Sequence, residues 1–208
     1  FFEFNAGYNG SENFSPGKRF GFFPSVALGY LVSEEPWWGN MKNVVDMLKI
    51  RGSWGLVGNN RIGAYQYMQT VSVSQGITFG DQSAPTVGFS ASNPGIKWET
   101  TRMADIGFDM GLLGGNLNIA FDYFTNMTRD ILVNLSVPGI FGNGAPISNA
   151  AKVRTQGWEL AANYHFKTGI VNHNIAANLS DSWNVVVDTK GTELFQGYDV
   201  VTIIKEGY

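Results

Sequence analysis

The chain has 208 residues, 15% charged and 44% hydrophobic, with a formal net charge of −3, so its electrostatics give no argument for nucleic acid. It has no cysteine and two histidines, His165 and His173, which excludes a disulfide framework and a thiolate site and argues against a metal centre. Apolar residues never run for about eighteen positions, so no membrane-crossing helix is expected. The high Gly 26, Phe 15, Tyr 8 and Trp 6 suit an all-β chain, either soluble or a membrane barrel.

Alternation begins at once. Phe2, Phe4, Ala6 and Tyr8 alternate with Glu3, Asn5, Gly7 and Asn9, which predicts a first strand over residues 1–9. Ser15-Pro16-Gly17 marks a turn inside a polar loop. In the second strand Phe20, Phe22, Val26, Leu28, Tyr30 and Val32 share one parity, and Pro24 interrupts it. A proline there argues for a bulge or a rim position. Residues 34–46 read as a connector, with a helical turn suggested by Val44, Val45 and Leu48. The third strand, 48–58, sets Leu48, Ile50, Trp54 and Leu56 against Lys49, Arg51, Ser53 and Val57.

Residues 59–94 show no sustained pattern, and a loop of that length is usually functional. The clearest signal follows. Ala104, Ile106, Phe108 and Met110 alternate with Met103, Asp105, Gly107 and Asp109. After Leu113-Gly114-Gly115-Asn116 the alternation resumes, with Leu117, Ile119, Phe121 and Tyr123 against Asn118, Ala120, Asp122 and Phe124. This is an antiparallel hairpin with one apolar face and one polar face. The second strand extends towards residue 137 through a bulge expected near Arg129 and Asp130. A second Gly/Asn/Pro-rich loop spans 138–151. The sixth strand, 153–167, puts Trp158, Leu160, Ala162, Tyr164 and Phe166 on one face and Glu159 on the other. The seventh, 173–187, alternates Ile175, Ala177 and Leu179 with Asn174, Ala176 and Asn178, and Asp181 breaks the apolar parity.

Two features favour a barrel over a sandwich. Strands of about ten to fifteen residues exceed the usual five or six and suit tilted membrane strands. Connectors alternate between long and short, as in outer-membrane barrels, although the 34–46 connector is long for its side. Trp54, Trp98, Tyr123, Trp158 and Trp183 gather towards strand ends, as an interfacial girdle requires. Residue 1 already lies within a strand and residues 205–208 end without one, so the chain reads as an internal section of a longer protein.

Several stretches resemble the SusC/RagA-type TonB-dependent transporters of the Bacteroidetes outer membrane. They are GKRFGFFPSVALGYLVSEE, LKIRGSWGLVGNNRIGAYQY, NPGIKWETTRMADIGFDMGLLGGNLNIAFDYFTNMTRDIL, AAKVRTQGWELAANY and the closing KEGY. Ala151 and Thr155 stand where that family has Gly and Asn. The resemblance implies that residues 1–208 are about seven antiparallel strands of a larger plugged transmembrane β-barrel. Plug, TonB-contacting segment and remaining strands would lie outside them. It further implies a bacterial outer-membrane importer of oligosaccharides or peptides, without catalysis or cofactor, that works with TonB and a SusD-type surface lipoprotein. Alternatives are a siderophore or cobalamin receptor, a passive porin, and a soluble carbohydrate-binding module.

Candidate site residues fall into three groups. Asp105, Asp109, Asp122 and Glu159 share the polar parity. Paired carboxylates can serve acid–base chemistry or glycoside hydrolysis, but a polar lumen lining accounts for them more simply. Phe108, Ile119, Phe121 and Leu160 occupy the apolar parity and are expected to face lipid. Tyr65, Tyr67, Phe79 and Phe89, in the long loop, are the aromatic candidates for binding sugar or peptide, with packing against neighbours or the lipoprotein as the plainer role.

Overall fold

The structure is a computed structural model and describes every residue except 75, 77, 81, 135–139, 141, 143, 145, 192–193, 197–201 and 208. Seven long strands form one antiparallel sheet: β1 (Phe2–Gly10), β2 (Phe20–Leu31), β3 (Val45–Asn59), β8 (Glu99–Leu112), β9 (Leu117–Asn134), β10 (Ile147–Thr168) and β11 (Val171–Asp188). Their order across the sheet is their order in the chain, so the sheet is a meander with β1 and β11 at its edges. Within the long loop, β4 (Val71–Ser74) pairs with β7 (Thr86–Phe89), and β5 (Thr78–Phe79) with β6 (Gln82–Ser83). A short ladder, β12 (Leu194–Gln196) with β13 (Thr202–Ile204), follows β11.

Two-residue alternation drives these strands, because successive side chains leave a strand on opposite sides. The register carries that alternation across the sheet. One row on the apolar face runs Tyr30, Ile50, Phe108, Phe121, Leu160, Leu179; the next runs Leu28, Gly52, Ile106, Tyr123, Trp158, Asp181. Asp181 therefore stands on the apolar face opposite Trp158, and nothing among the described residues explains it.

The reversal between β8 and β9 uses left-handed backbone at Leu113, Gly114 and Gly115, with φ of 57°, 66° and 81°. Glycine adopts that region without a Cβ penalty. The Asp46 carboxylate also accepts from Gly115 N at 2.8 Å. Pro24 partners Ala6 of β1, whereas the β2–β3 ladder begins at Ser25 opposite Gly55. The proline thus sits just beyond that ladder, where its missing N–H leaves no gap. The bulge expected near Arg129 and Asp130 is present. Thr128 partners Val153 and Ile131 partners Ala151, so β9 holds one extra residue there, and Asp130 takes φ 57°.

Three expectations need correction. The helical segment is a 3-10 helix at Pro36–Asn43, where Pro36 is pre-set for a first turn, while Val45 and Leu48 belong to β3. The 59–94 loop is partly ordered into the β4–β7 and β5–β6 ladders. Trp98 is not part of an outward girdle. It precedes β8 and packs on Phe14 and Phe23, ring centroids 5.3 Å away in each case, and its Nε1 donates to Arg19 O at 3.0 Å.

Burial is concentrated where loops meet the sheet. Phe14 and Ile96 are fully buried, and Trp38 and Val32 nearly so. The sheet itself has no second layer among the described residues. Phe2 is 67% exposed, Ile106 60% and Leu179 60%. A face this apolar and open needs an apolar surrounding.

Candidate functional site

The polar face of the sheet carries a charge cluster centred on Arg51. In the register Arg51 of β3 lies opposite Gly107 of β8, Gly107 opposite Asp122 of β9, Asp122 opposite Glu159 of β10, and Glu159 opposite Ser180 of β11. Asp105 and Asp109 sit on β8 two residues either side of Gly107, where a long side chain on β3 reaches them diagonally. Arg51 Nε donates to Asp109 Oδ2 at 3.2 Å, and Nη1 is 3.9 Å from Asp105 Oδ1. Nη2 donates to Asp122 Oδ2 at 2.7 Å, and Nη1 lies 2.6 Å from Oδ1. One hydrogen bond, from Nη2 to Oδ2, joins the pair, and the Nη1–Oδ1 contact is a close ion pair without hydrogen-bond geometry.

Gly107 makes the bridge feasible. A Cβ there would collide with Asp122 Oδ1 and lie 2.6 Å from Phe121 O. Two strands further on, a Cβ at Gly157 would lie 2.7 Å from the Phe124 ring and 2.6 Å from Asp181 O. Both glycines leave room for a side chain of the neighbouring strand to lie across them.

All four predicted carboxylates are therefore brought to one patch, three of them around Arg51. Glu159 is directly opposite Asp122, a like-charge pairing that costs stability unless a cation intervenes. The patch remains acidic, since four carboxylates face two cations, Arg51 and Lys49, the cross-strand partner of Asp109. Among the described residues no group of three or more His, Asp or Glu side chains is placed to hold a metal ion.

The opposite face gathers the predicted apolar residues. Phe108 and Phe121 are direct partners with ring centroids 5.7 Å apart, and Phe121 partners Leu160. Ile119 lies between Met110 and Ala162. Aromatic side chains bound this face. Trp54 and Trp183 stand in one row, and Tyr123 and Trp158 in the next. At the other end Tyr164 stacks on Phe166 at 5.3 Å, and Phe166 on His173 at 4.6 Å. From Leu117 to Asn126 of β9 the belt is about ten residues long, the length of a tilted membrane strand.

In the long loop the structure brings Tyr65 and Tyr67 together, with centroids 6.4 Å apart and Tyr65 at φ 60°. Phe89 partners Val71 at the base of the β4–β7 ladder and is 52% exposed. Phe79 lies in β5 opposite Gln82, and its side chain is outside the described residues. Polar side chains tie the loop bases to the sheet. Asn93 donates to Ile147 O at 3.0 Å, Asn149 donates to Lys97 O at 2.9 Å and Asp130 O at 2.7 Å, and Lys97 pairs with Asp130 at 2.8 Å. At the end of β11, Lys152 Nζ at 2.6 Å and Lys190 N at 2.8 Å hold the Asp188 carboxyl below the usual carboxylate range.

The residues that sequence reasoning missed are Arg51, as the hub, and the two accommodating glycines. Arg51 was visible as a cation on the polar parity. Its convergence with carboxylates of two other strands needs the lateral register, which alternation alone does not give.

Comparison with known proteins places this geometry. The family model of the TonB dependent receptor-like β-barrel matches residues 2–203. The chain is 32% identical to TonB-dependent receptor SusC of Bacteroides thetaiotaomicron over 167 residues, 78% of the chain and 17% of that protein. It is 31% identical to TonB-dependent receptor P3 of Formosa agariphila over 162 residues, 78% of the chain and 16% of that protein. Among solved structures, the RagAB peptide importer in its closed-closed state superposes with a TM-score of 0.85 at 22% identity, over 100% of the chain and 23% of the matched one. The chain thus spans under a quarter of the length of the relatives it matches. Its meander of long strands, its two-faced register and these matches agree: the chain belongs to the TonB-dependent receptor β-barrel family and is a section of a SusC/RagA-type barrel.

Proposed function

We propose that residues 1–208 form part of the wall of a larger plugged barrel in the bacterial outer membrane. The whole protein is a TonB-driven importer of oligosaccharides or peptides that acts with a SusD-type surface lipoprotein. The observation that carries this reading is the two-faced sheet. An apolar belt about ten residues long, bounded by aromatic rows, backs an acidic, hydrogen-bonded face. On this reading Phe108, Ile119, Phe121 and Leu160 contact lipid, and Asp105, Asp109, Asp122 and Glu159 line the lumen. The carboxylates then have no catalytic role. They hold register through Arg51 and make the wall unfavourable for anionic solutes. The ends carrying the long loops face outward from the cell, and Tyr65, Tyr67, Phe79 and Phe89 meet ligand or the lipoprotein there. The relatives are TonB-dependent receptors, and the superposed RagAB structure is a peptide importer, which supports transport as the class and peptide as one cargo.

The test is uptake by the full-length protein in its native host. Cells with and without the gene, and with and without TonB, are offered labelled oligosaccharide and oligopeptide pools, and a tagged transporter is used to capture its lipoprotein partner. Gene- and TonB-dependent uptake of one pool, with co-purification of a SusD-type lipoprotein, is the expected result. Dependence only for a siderophore or cobalamin would sink the cargo assignment. Uptake that persists without TonB would sink the energised mechanism.

A further inference from the structure

We propose that Arg102, Arg129 and Arg154 form a seat on the outward face for a lipid headgroup bearing more than one phosphate. This rests on the membrane reading above and adds a specific lipid contact to it. The register places all three arginines on the apolar parity. Arg102 partners Met127, Met127 partners Arg154, and Thr100 partners Arg129. On β9 the Met127 row lies two residues beyond the row that holds Trp54, Ala104, Thr125, Gln156 and Trp183. The arginines thus sit just outside the aromatic boundary on the long-loop side, where headgroups replace acyl chains.

Their charges are not neutralised by the protein. All three residues are exposed, and none takes part in an ion pair among the described residues. Nearby carboxylates are directed elsewhere. Glu99 accepts from Leu132 N and Asn59 Nδ2, and Asp130 pairs with Lys97. Asp181, the outward carboxylate of β11, lies four residues along that strand from Val185, the partner of Arg154. Strand spacing sets Arg102 and Arg154 about 10 Å apart across β9, with Arg129 one row further out. Guanidinium binds phosphate through paired N–H donors, so three such groups at this spacing suit a headgroup with separated phosphates. A single small anion could engage only one of them well.

The experiment uses the full-length protein extracted from native outer membranes in mild detergent. Retained lipid is measured by native mass spectrometry, and affinity by titration with purified outer-leaflet lipid before and after enzymatic dephosphorylation. The variants are R102Q, R129Q, R154Q and the triple, with R61Q in the long loop as control. Each arginine is expected to be worth about fivefold in affinity for an anionic lipid. The triple variant should lose the retained lipid, dephosphorylated lipid should bind as weakly as the triple variant binds intact lipid, and R61Q should behave as wild type. Unchanged retention in the triple variant overturns the proposal, as does equal binding of dephosphorylated lipid. Displacement by millimolar inorganic phosphate would also overturn it, by showing a small-anion site. Heat-modifiable migration checks that each barrel has formed, and the single variants carry the test if the triple does not assemble. Failure to recover wild-type protein in the outer membrane would refute the membrane reading instead.

Discussion

Arg51 and Asp122 meet across an intervening strand. They belong to β3 and β9, and the guanidinium passes over Gly107 of β8 to reach the carboxylate at 2.7 Å. Ladder hydrogen bonds join only adjacent strands, whereas this pair joins next-nearest ones. It thereby adds a cross-brace to the middle of the sheet.

Removing the brace leaves Asp105, Asp109 and Asp122 facing one another with only Lys49, the cross-strand partner of Asp109, as a nearby cation. The R51L variant of the full-length barrel is expected to lose about 1–3 kcal/mol, read as a lower denaturant midpoint in detergent micelles. R51K keeps the charge but loses the guanidinium, so its midpoint should fall between the two. Coincident midpoints for all three proteins would mean that the cluster is merely solvated.

Gly157 offers a steric test. In G157A the new methyl meets both the Phe124 ring and the Asp181 carbonyl oxygen, and overpacking of this kind costs about 1–3 kcal/mol, of which only the part against Phe124 can be relieved by truncating that ring. The F124A/G157A double variant should recover part of the loss that G157A shows in an F124A-free background. Strictly additive effects in the double-mutant cycle would refute the contact.

The face assignment predicts asymmetric arginine scanning. F108R or I119R in the full-length barrel should cost about 2–4 kcal/mol if these positions lie near the bilayer midplane. A120R, on the other parity and one residue from Ile119, should cost much less. The reverse order, with A120R the costly one, would show that lipid and lumen have been exchanged, and equal penalties at all three would show that the sheet is not in a membrane.

The open sheet predicts how the isolated 208-residue polypeptide behaves. With β1 and β11 laddered on one side only among the described residues and one apolar face exposed, it should aggregate or stay unfolded in water without detergent. A soluble monomer with a cooperative unfolding transition would favour a soluble domain over a barrel.

For ligand contact, Tyr65→Ala and Tyr67→Ala should lower uptake by the full-length transporter while leaving its amount in the outer membrane unchanged. A parallel loss of assembled protein would assign the pair to loop packing.

The strands were legible because alternation persists over ten or more residues, long enough to outweigh single exceptions such as Pro24 and Asp181. Their ends were less so. Trp98 looked like a strand-end aromatic because it precedes Glu99 without a break in pattern, yet loop packing against Phe14 captures it. The β4–β7 ladder was missed because Val71-Ser72-Val73-Ser74 is only four residues of alternation, too short to stand out within a polar stretch. For the cluster, parity placed Asp105, Asp109, Asp122 and Glu159 on one face. What parity cannot supply is which residues lie side by side, since that depends on turn lengths and bulges far along the chain. The arginine seat was hidden for the same reason: Arg102, Arg129 and Arg154 are scattered in sequence and become neighbours only through register.

The β4–β7 hairpin leaves the sheet after β3 and returns before β8, and those two strands pair from Val45–Leu112 to Asn59–Glu99. Since the ends of this excursion are fixed by the wall, its length is nearly free. Doubling a loop costs only about 0.6 kcal/mol in closure entropy. The excursion behaves as an exchangeable cassette on a constant frame. Replacing it wholesale should leave β3 and β8 with the same partners.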